Sequence, residues 1–253
     1  MSDSLGDRMK EQYENRTRVY LPRRTYTILR VDGRAFHSYT RGMERPFDLA
    51  FMGRMDDTAR KMCLEISGAC FAFVQSDEIS ILLTDFATNQ TQAWFDGNIQ
   101  KMVSISAALA TSIFGDGVQF DSRVFTIPDP VEVANYFVWR QQDATRNSIQ
   151  MAAYAQFSHK SLHGRDVNQM QERLWQEKQI NWNDYPDGCK RGRCAVRRAT
   201  FEPVTYTHKK TGETCTTPAV ERHEWIVEAP PVFTQSREWL AGMIPRYPQT
   251  EAS

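Results

Sequence analysis

A chain of 253 residues with 31 basic and 31 acidic side chains carries no net charge, so no global field draws it to nucleic acid or membrane, and any grip on phosphate has to come from local clusters. The length allows one large domain, or one and a half, with a sizeable core, the apolar runs are far too short to cross a bilayer, and the opening Met1-Ser2-Asp3-Ser4 lacks the apolar stretch of a secretory leader. Five cysteines, an odd number without small-scaffold spacing, are expected as reduced thiols in a cytoplasmic protein.

Residues 1 to 24 are polar, with arginines at 16, 18, 23 and 24, and read as a short helix and a connector. The first strand runs from Tyr26 to Val31 and is followed by Asp32-Gly33. Arg34 to Asp48 reads as a loop broken by Gly42 and Pro46. From Leu49 to Ile66, apolar residues at 51, 52, 55, 59, 62, 63 and 66 recur at helical spacing. Two apolar runs, Phe71 to Val74 and Ile79 to Leu83, are separated only by Gln75-Ser76-Asp77-Glu78, a hairpin turn. Their near-continuous apolar character places that hairpin in the middle of a sheet, covered on both faces. A second helix spans about Phe95 to Phe114 and stops at Gly115-Asp116-Gly117. A fourth strand, Arg123 to Ile127, ends at Pro128, and Pro130 suits the first turn of a long helix reaching about His159. Beyond it come a short helix over 168 to 178, a turn-rich segment over 181 to 188, and short strands to about Val227 around His208-Lys209-Lys210-Thr211-Gly212.

Strand, helix, strand, strand, helix, strand is the split β-α-β order of ferredoxin-like domains and of polymerase and cyclase palm domains. The expected fold is therefore α+β, a βαββαβ core with a long helix after it and a small β-rich extension. We divide the chain into a catalytic unit at 1–160 and an extension at 161–253 packed on it.

Two acidic positions carry the chemistry. Asp32 ends one strand and Asp77 caps the hairpin, so neighbouring strands would bring the carboxylates together, an arrangement that holds a pair of divalent cations against a nucleotide triphosphate. Glycine at 33 lets its carbonyl approach such a site closely. Glu78 is grouped with these carboxylates as catalytic. Each motif also has an ordinary reading, as a strand-end turn and as a polar hairpin tip. Lys101 and Arg45 read as surface charges or as phosphate contacts. His37 reads as structural, as a pocket wall or as a proton carrier. Cys189, Cys194, His208 and Cys215 lack the spacing of a zinc site, and ordinary thiols are the preferred reading. Basic residues gather at Lys190-Arg191-Gly192-Arg193 and at Arg197-Arg198, a solvated face or a footprint for an RNA backbone.

Five ordered blocks then resemble one family. Arg30-Val31-Asp32-Gly33-Arg34-Ala35-Phe36-His37 resembles the metal-binding motif of tRNA-His guanylyltransferases and their bacterial and archaeal relatives, and Gln75-Ser76-Asp77-Glu78 resembles the second acidic motif. Arg45-Pro46-Phe47-Asp48 resembles the basic-Pro-Asn-Asp segment, with Phe47 in place of asparagine. Phe120-Asp121-Ser122-Arg123 and Trp139-Arg140-Gln141-Gln142-Asp143 follow in order, and Lys190-Arg191-Gly192 fits a later, weaker motif. The resemblance implies 3′-to-5′ nucleotide addition to the 5′ end of tRNA. The incoming nucleotide is normally GTP, and ATP serves where a 5′-monophosphate needs activation. It further implies two magnesium ions held by Asp32, the Gly33 carbonyl and Asp77. Nucleotide contacts would come from residues 32 to 37, Ser76 and Asp77, and phosphate contacts from Arg45, Lys101 and Arg123. The basic cluster at Lys190, Arg191 and Arg193 is the expected RNA contact on charge grounds, and the resemblance implies a dimer-of-dimers homotetramer. Eukaryotic members continue Cys-His-Ile-Asn-Asn after the Trp-Arg-Gln block, whereas this chain reads Ala144-Thr145-Arg146-Asn147-Ser148. Thr145 thus replaces the histidine linked to anticodon recognition, which favours template-directed repair of 5′-truncated tRNAs over dedicated tRNA-His maturation. The rivals are a nucleotide cyclase and a non-catalytic tRNA-binding protein.

Overall fold

The computed structural model describes residues 4–248; the polar opening Met1 to Asp3 lies outside them. One antiparallel sheet of six strands organises the chain, in the order β4-β1-β3-β2-β5-β6. Its first four strands are β1 (Tyr26–Gly33), β2 (Ala69–Gln75), β3 (Glu78–Leu83) and β4 (Phe120–Ile127). They realise the ferredoxin-like order 4-1-3-2 that the alternation of strands and helices implies.

Side-chain alternation assigns every core residue to a face. Leu29 and Val31 of β1, Val74 of β2 and Ile79 and Ile81 of β3 bury against α1 (Leu49–Glu65) and α2 (Ile99–Phe114). Ile28, Phe71, Phe73 and Leu82 point the other way, onto α3 (Pro130–Gln156) and the C-terminal part of the chain. β3 is buried along its whole length, as a strand covered on both faces must be. The helices begin where the sequence supplies caps: Asp48, Asn98 and Asp129 each accept a backbone N–H of the first turn with the side chain. The C-terminal half of α3 packs with α4 (Val167–Lys178) and Trp182 in a third, smaller cluster.

After residue 190 the structure departs from the expectation of several short strands. β5 (Arg193–Thr207) and β6 (Thr214–Glu228) form one long hairpin, and β5 hydrogen-bonds to β2 beside the catalytic core. The sheet therefore crosses the division drawn at residue 160. Gln141 of α3 ties the returning chain down, donating to the Pro231 carbonyl and accepting from the Phe233 N–H. A last short helix, α5 (Arg237–Met243), follows. No helix among the described residues is long and apolar enough to cross a membrane.

Candidate active site

The two acidic motifs meet at one end of the sheet. Asp32 of β1 stands in register with Glu78 of β3 on one side and with Asp121 of β4 on the other. The turn Ser76-Asp77 precedes Glu78, and Ser76 adopts a left-handed φ of 46°, the conformation a two-residue hairpin loop demands. Across this turn the Gly33 N–H donates to the Asp77 carbonyl at 3.0 Å. A Cβ at Gly33 would stand 2.3 Å from the Phe36 ring, so only glycine lets the chain fold back on itself there. Burial, with the nearby charges of Asp32 and Glu78 adding, raises the Asp77 carboxyl above its ordinary value against hydrogen bonds from its own N–H and from Ser76.

Ion pairing sorts the acids at this end. Asp121 is paired with Arg123 at 3.3 Å. Glu78 is buried and gripped by the Arg140 guanidinium from α3, with both carboxylate oxygens engaged at 2.8 and 2.7 Å. Asp32 and Asp77 enter no ion pair among the described residues. Two unpaired carboxylates beside a backbone carbonyl suit hard, oxygen-seeking cations. No group of three or more His, Cys, Asp or Glu is placed to hold a metal ion among the described residues, so the pair Asp32 and Asp77 stands without a third ligand side chain, and the cysteines are free thiols.

A cavity of about 240 Å³ opens beside the hairpin tip, lined by Arg45, Pro46, Asp48, Phe51, Ser76, Met151 and Tyr154 among others. A smaller recess of about 60 Å³ shares Asp48, Phe51, Ser76 and Met151 with it and continues inward past Phe47 and Asn147. The loop after Gly33 reaches the cavity wall at Thr40 and Met43. Ala35 takes a left-handed φ and opens the short helix Phe36–Tyr39, Arg34 is exposed and bonds Gln119 at 2.7 Å, and exposed His37 contacts Ser38.

The geometry corrects several single-residue expectations. Glu78 is not a free catalytic carboxylate, because Arg140 and Ser80 occupy its oxygens. The Phe36 ring packs in an aromatic cluster with Tyr39, Phe51, Phe114 and Phe120, which leaves only its backbone to line a nucleotide site. Lys101 sits in the first turn of α2, its amide capped by Asn98. About 20 Å of helix, at 1.5 Å per residue, separates it from Phe114, which packs on Phe120 opposite Gly33. The basic cluster near 190 is turned inward. Lys190 is buried and bonds the Asn183 carbonyl at 2.7 Å, Arg193 is buried against Asp56 at 2.6 Å, and Arg191 pairs with Asp187 at 2.6 Å. These three cations form no open RNA-facing patch, since each charge is spent on a neighbour.

Sequence reasoning left the Trp-Arg-Gln block without a role. Trp139 stacks on the Arg140 guanidinium, Arg140 holds Glu78, Gln141 clamps Phe233, and Asp143 accepts from both Arg140 and Gln75. The signal was the i, i+3 spacing of Arg140 and Asp143 on an otherwise apolar helix face.

Comparison with known proteins places this architecture. The tRNAHis guanylyltransferase family model matches residues 6–128. A bacterial tRNA(His) guanylyltransferase-like protein in complex with ATP superposes with a TM-score of 0.81 at 39% identity, covering 95% of this chain and 99% of that one. This chain belongs to the tRNA(His) guanylyltransferase family. Membership makes it a nucleotidyltransferase on a palm-like core. The bacterial protein in complex with GTP gives a TM-score of 0.77 at 38% identity, over 96% of this chain and 99% of that one. The tRNA(His) guanylyltransferase of Schizosaccharomyces pombe is 27% identical over 218 residues, 77% of this chain and 79% of the relative.

Proposed function

We propose that this protein extends the 5′ end of tRNA in the 3′-to-5′ direction, chiefly with GTP, in template-directed repair of truncated ends. The observation that carries the reading is the hydrogen bond from Gly33 to the Asp77 carbonyl, which joins two acidic turns whose Asp32 and Asp77 carboxylates have no basic partner among the described residues. Asp32, Asp77 and the Gly33 carbonyl would hold two magnesium ions, which supply charge neutralisation and orientation of the phosphates. The residues do the rest by positioning. The cavity walled by Phe51, Met151 and Tyr154 takes the nucleoside, and Arg45 on its rim reaches the phosphates. Arg123 lies on the same sheet face as Asp32 and meets phosphate from the other side. The 3′-hydroxyl of the bound nucleotide attacks the activated 5′-phosphorus, and pyrophosphate or AMP leaves. ATP enters only where the 5′ end is a monophosphate. The bacterial relatives in complex with ATP and with GTP support both substrate assignments.

Thr145 favours repair over dedicated tRNA-His maturation, because its hydroxyl is turned back onto the Gln141 carbonyl at 2.9 Å and presents no ring to an anticodon. A cytoplasmic homotetramer belongs to the same reading, and light scattering of the purified protein checks its mass. The deciding experiment offers 5′-truncated and complete tRNAs with each nucleotide in turn. Addition should follow the opposing base and stop at a full acceptor stem. A small product formed from labelled GTP without tRNA would instead mark a cyclase, and tRNA binding without any addition a non-catalytic protein.

A further inference from the structure

We propose that Arg140 is a positioning residue that sorts the carboxylates of the site: by locking Glu78 it leaves Asp32 and Asp77 as the cation-binding pair. The inference rests on the reading of Asp32 and Asp77 given above. Register places Glu78, Asp32 and Asp121 side by side on three adjacent strands, all on the face that α3 covers, with Asp77 next to Glu78 in the turn. Directly opposed residues have Cβ atoms roughly 5 Å apart, and like charges there repel. Asp32 therefore stands between two opposed carboxylates, with that of Asp77 one residue from Glu78, and something has to decide which of them meet a cation.

Asp121 is held by Arg123 in an exposed pair at 3.3 Å, a weak restraint. Glu78 is held far more firmly. Arg140 is 4% exposed, engages both Glu78 oxygens, and is itself fixed by Asp143 at 2.8 Å and by the Trp139 ring. Arg30 does not replace it, because its Nε stands 3.8 Å from Glu78 and has no hydrogen-bond partner. A guanidinium fork occupies two carboxylate oxygens at once, which an ammonium cannot do. Released from that fork, Glu78 would offer a third carboxylate to a cation bound at Asp32. The cation would then gain a protein ligand and lose a position needed by the triphosphate oxygens. The Arg140 guanidinium is spent on Glu78 and Asp143, not on Asp32 or Asp77, and acts on the site through Glu78.

The test measures Mn²⁺ binding to the full-length, nucleotide-free protein by paramagnetic resonance of the free ion, beside kcat, KM for GTP and thermal melting. The variants are R140M, R140K, E78Q and E78Q/R140M. R140M should bind Mn²⁺ about tenfold more tightly, since a buried negative charge has been uncovered, while kcat falls more than tenfold. E78Q/R140M should return both values to within about threefold of E78Q alone, and R140K should lie between R140M and the parent. Unchanged or weaker Mn²⁺ binding in folded R140M overturns the proposal. Where R140M does not fold, the double variant decides, and a kcat more than tenfold below that of E78Q overturns it. Unaltered Mn²⁺ binding in D32N would instead sink the cation-pair reading beneath it.

Discussion

The two ends of the single sheet are built from the same ladder but held by different forces. At the β4-β1-β3-β2 end, side chains are packed on both faces, and β3 has no exposed residue. At the other end β5 and β6 run on as an arm, and past Ala199 and His223 most residues are exposed, with Phe201 at 66%, Tyr206 at 47% and Val220 at 41%. A strand covered on both faces cannot slip by one residue without exchanging the side chains packed on its two faces, so its register is fixed. That fixity is what brings Asp32, Asp77 and Gly33 into one site. The arm has only its own hydrogen bonds and cross-strand pairs such as Thr205 with Thr216, and a lone two-stranded ribbon is marginal in water. The carboxylates proposed to hold the cations stand on the end packed on both faces.

The sharpest break of this contrast is at the carboxylates themselves. Asp32→Ala and Asp77→Ala should each lower tRNA 5′-end addition by at least about 1,000-fold, roughly 4 kcal/mol of transition-state stabilisation, with melting temperature preserved. Single-turnover assays and calorimetry on the same samples check both halves.

Arg193 stands where the two ends join, and Arg193→Met should cost about 3 kcal/mol by leaving Asp56 buried without its partner. Burial already raises the Asp56 carboxyl against the lowering effect of Arg193. A carboxyl that holds its proton more tightly folded than unfolded contributes stability at low pH that is lost as pH rises through its folded value. Removing Arg193 lifts that value further, so the loss should be larger at pH 8 than at pH 5 in parallel melts. A loss of tRNA affinity at unchanged stability would restore the RNA-contact reading of this residue.

Gly33→Ala drives a methyl into the Phe36 ring and should destabilise by about 1–3 kcal/mol through overpacking, seen as a lowered urea midpoint. Replacing residues 199–222 with a short turn should have the smallest effect on the rest of the molecule. The melting temperature should stay within about 4 °C, the equivalent of roughly 1 kcal/mol. A larger drop would mean that the arm supports the core after all.

Local pattern made much of this molecule readable from its residues. The apolar spacing of 49 to 66 defines a helix whose observed span is Leu49–Glu65, and the four-residue gap between two apolar runs defines the hairpin at Asp77. The long β5–β6 hairpin was not readable, because its Thr-rich, charge-interrupted strands lack alternation and are held by pairing rather than by a core. Nor was the fate of single charged residues. Lys101, Lys190 and Arg193 look alike in sequence, yet one stands in the first turn of a helix capped by Asn98 and two are buried against acceptors.

The sequence by itself determined the order of elements through the long helix α3 and the family, since hydrophobic period, turn chemistry and motif spacing are local properties. Only the tertiary structure decided which of four neighbouring carboxylates remain unpaired. That depends on Arg140, sixty-two residues from Glu78, reaching across from another layer with a fork that fits both oxygens. Charge pairing between distant segments leaves no periodic trace in a chain; it is fixed only when packing sets the distances.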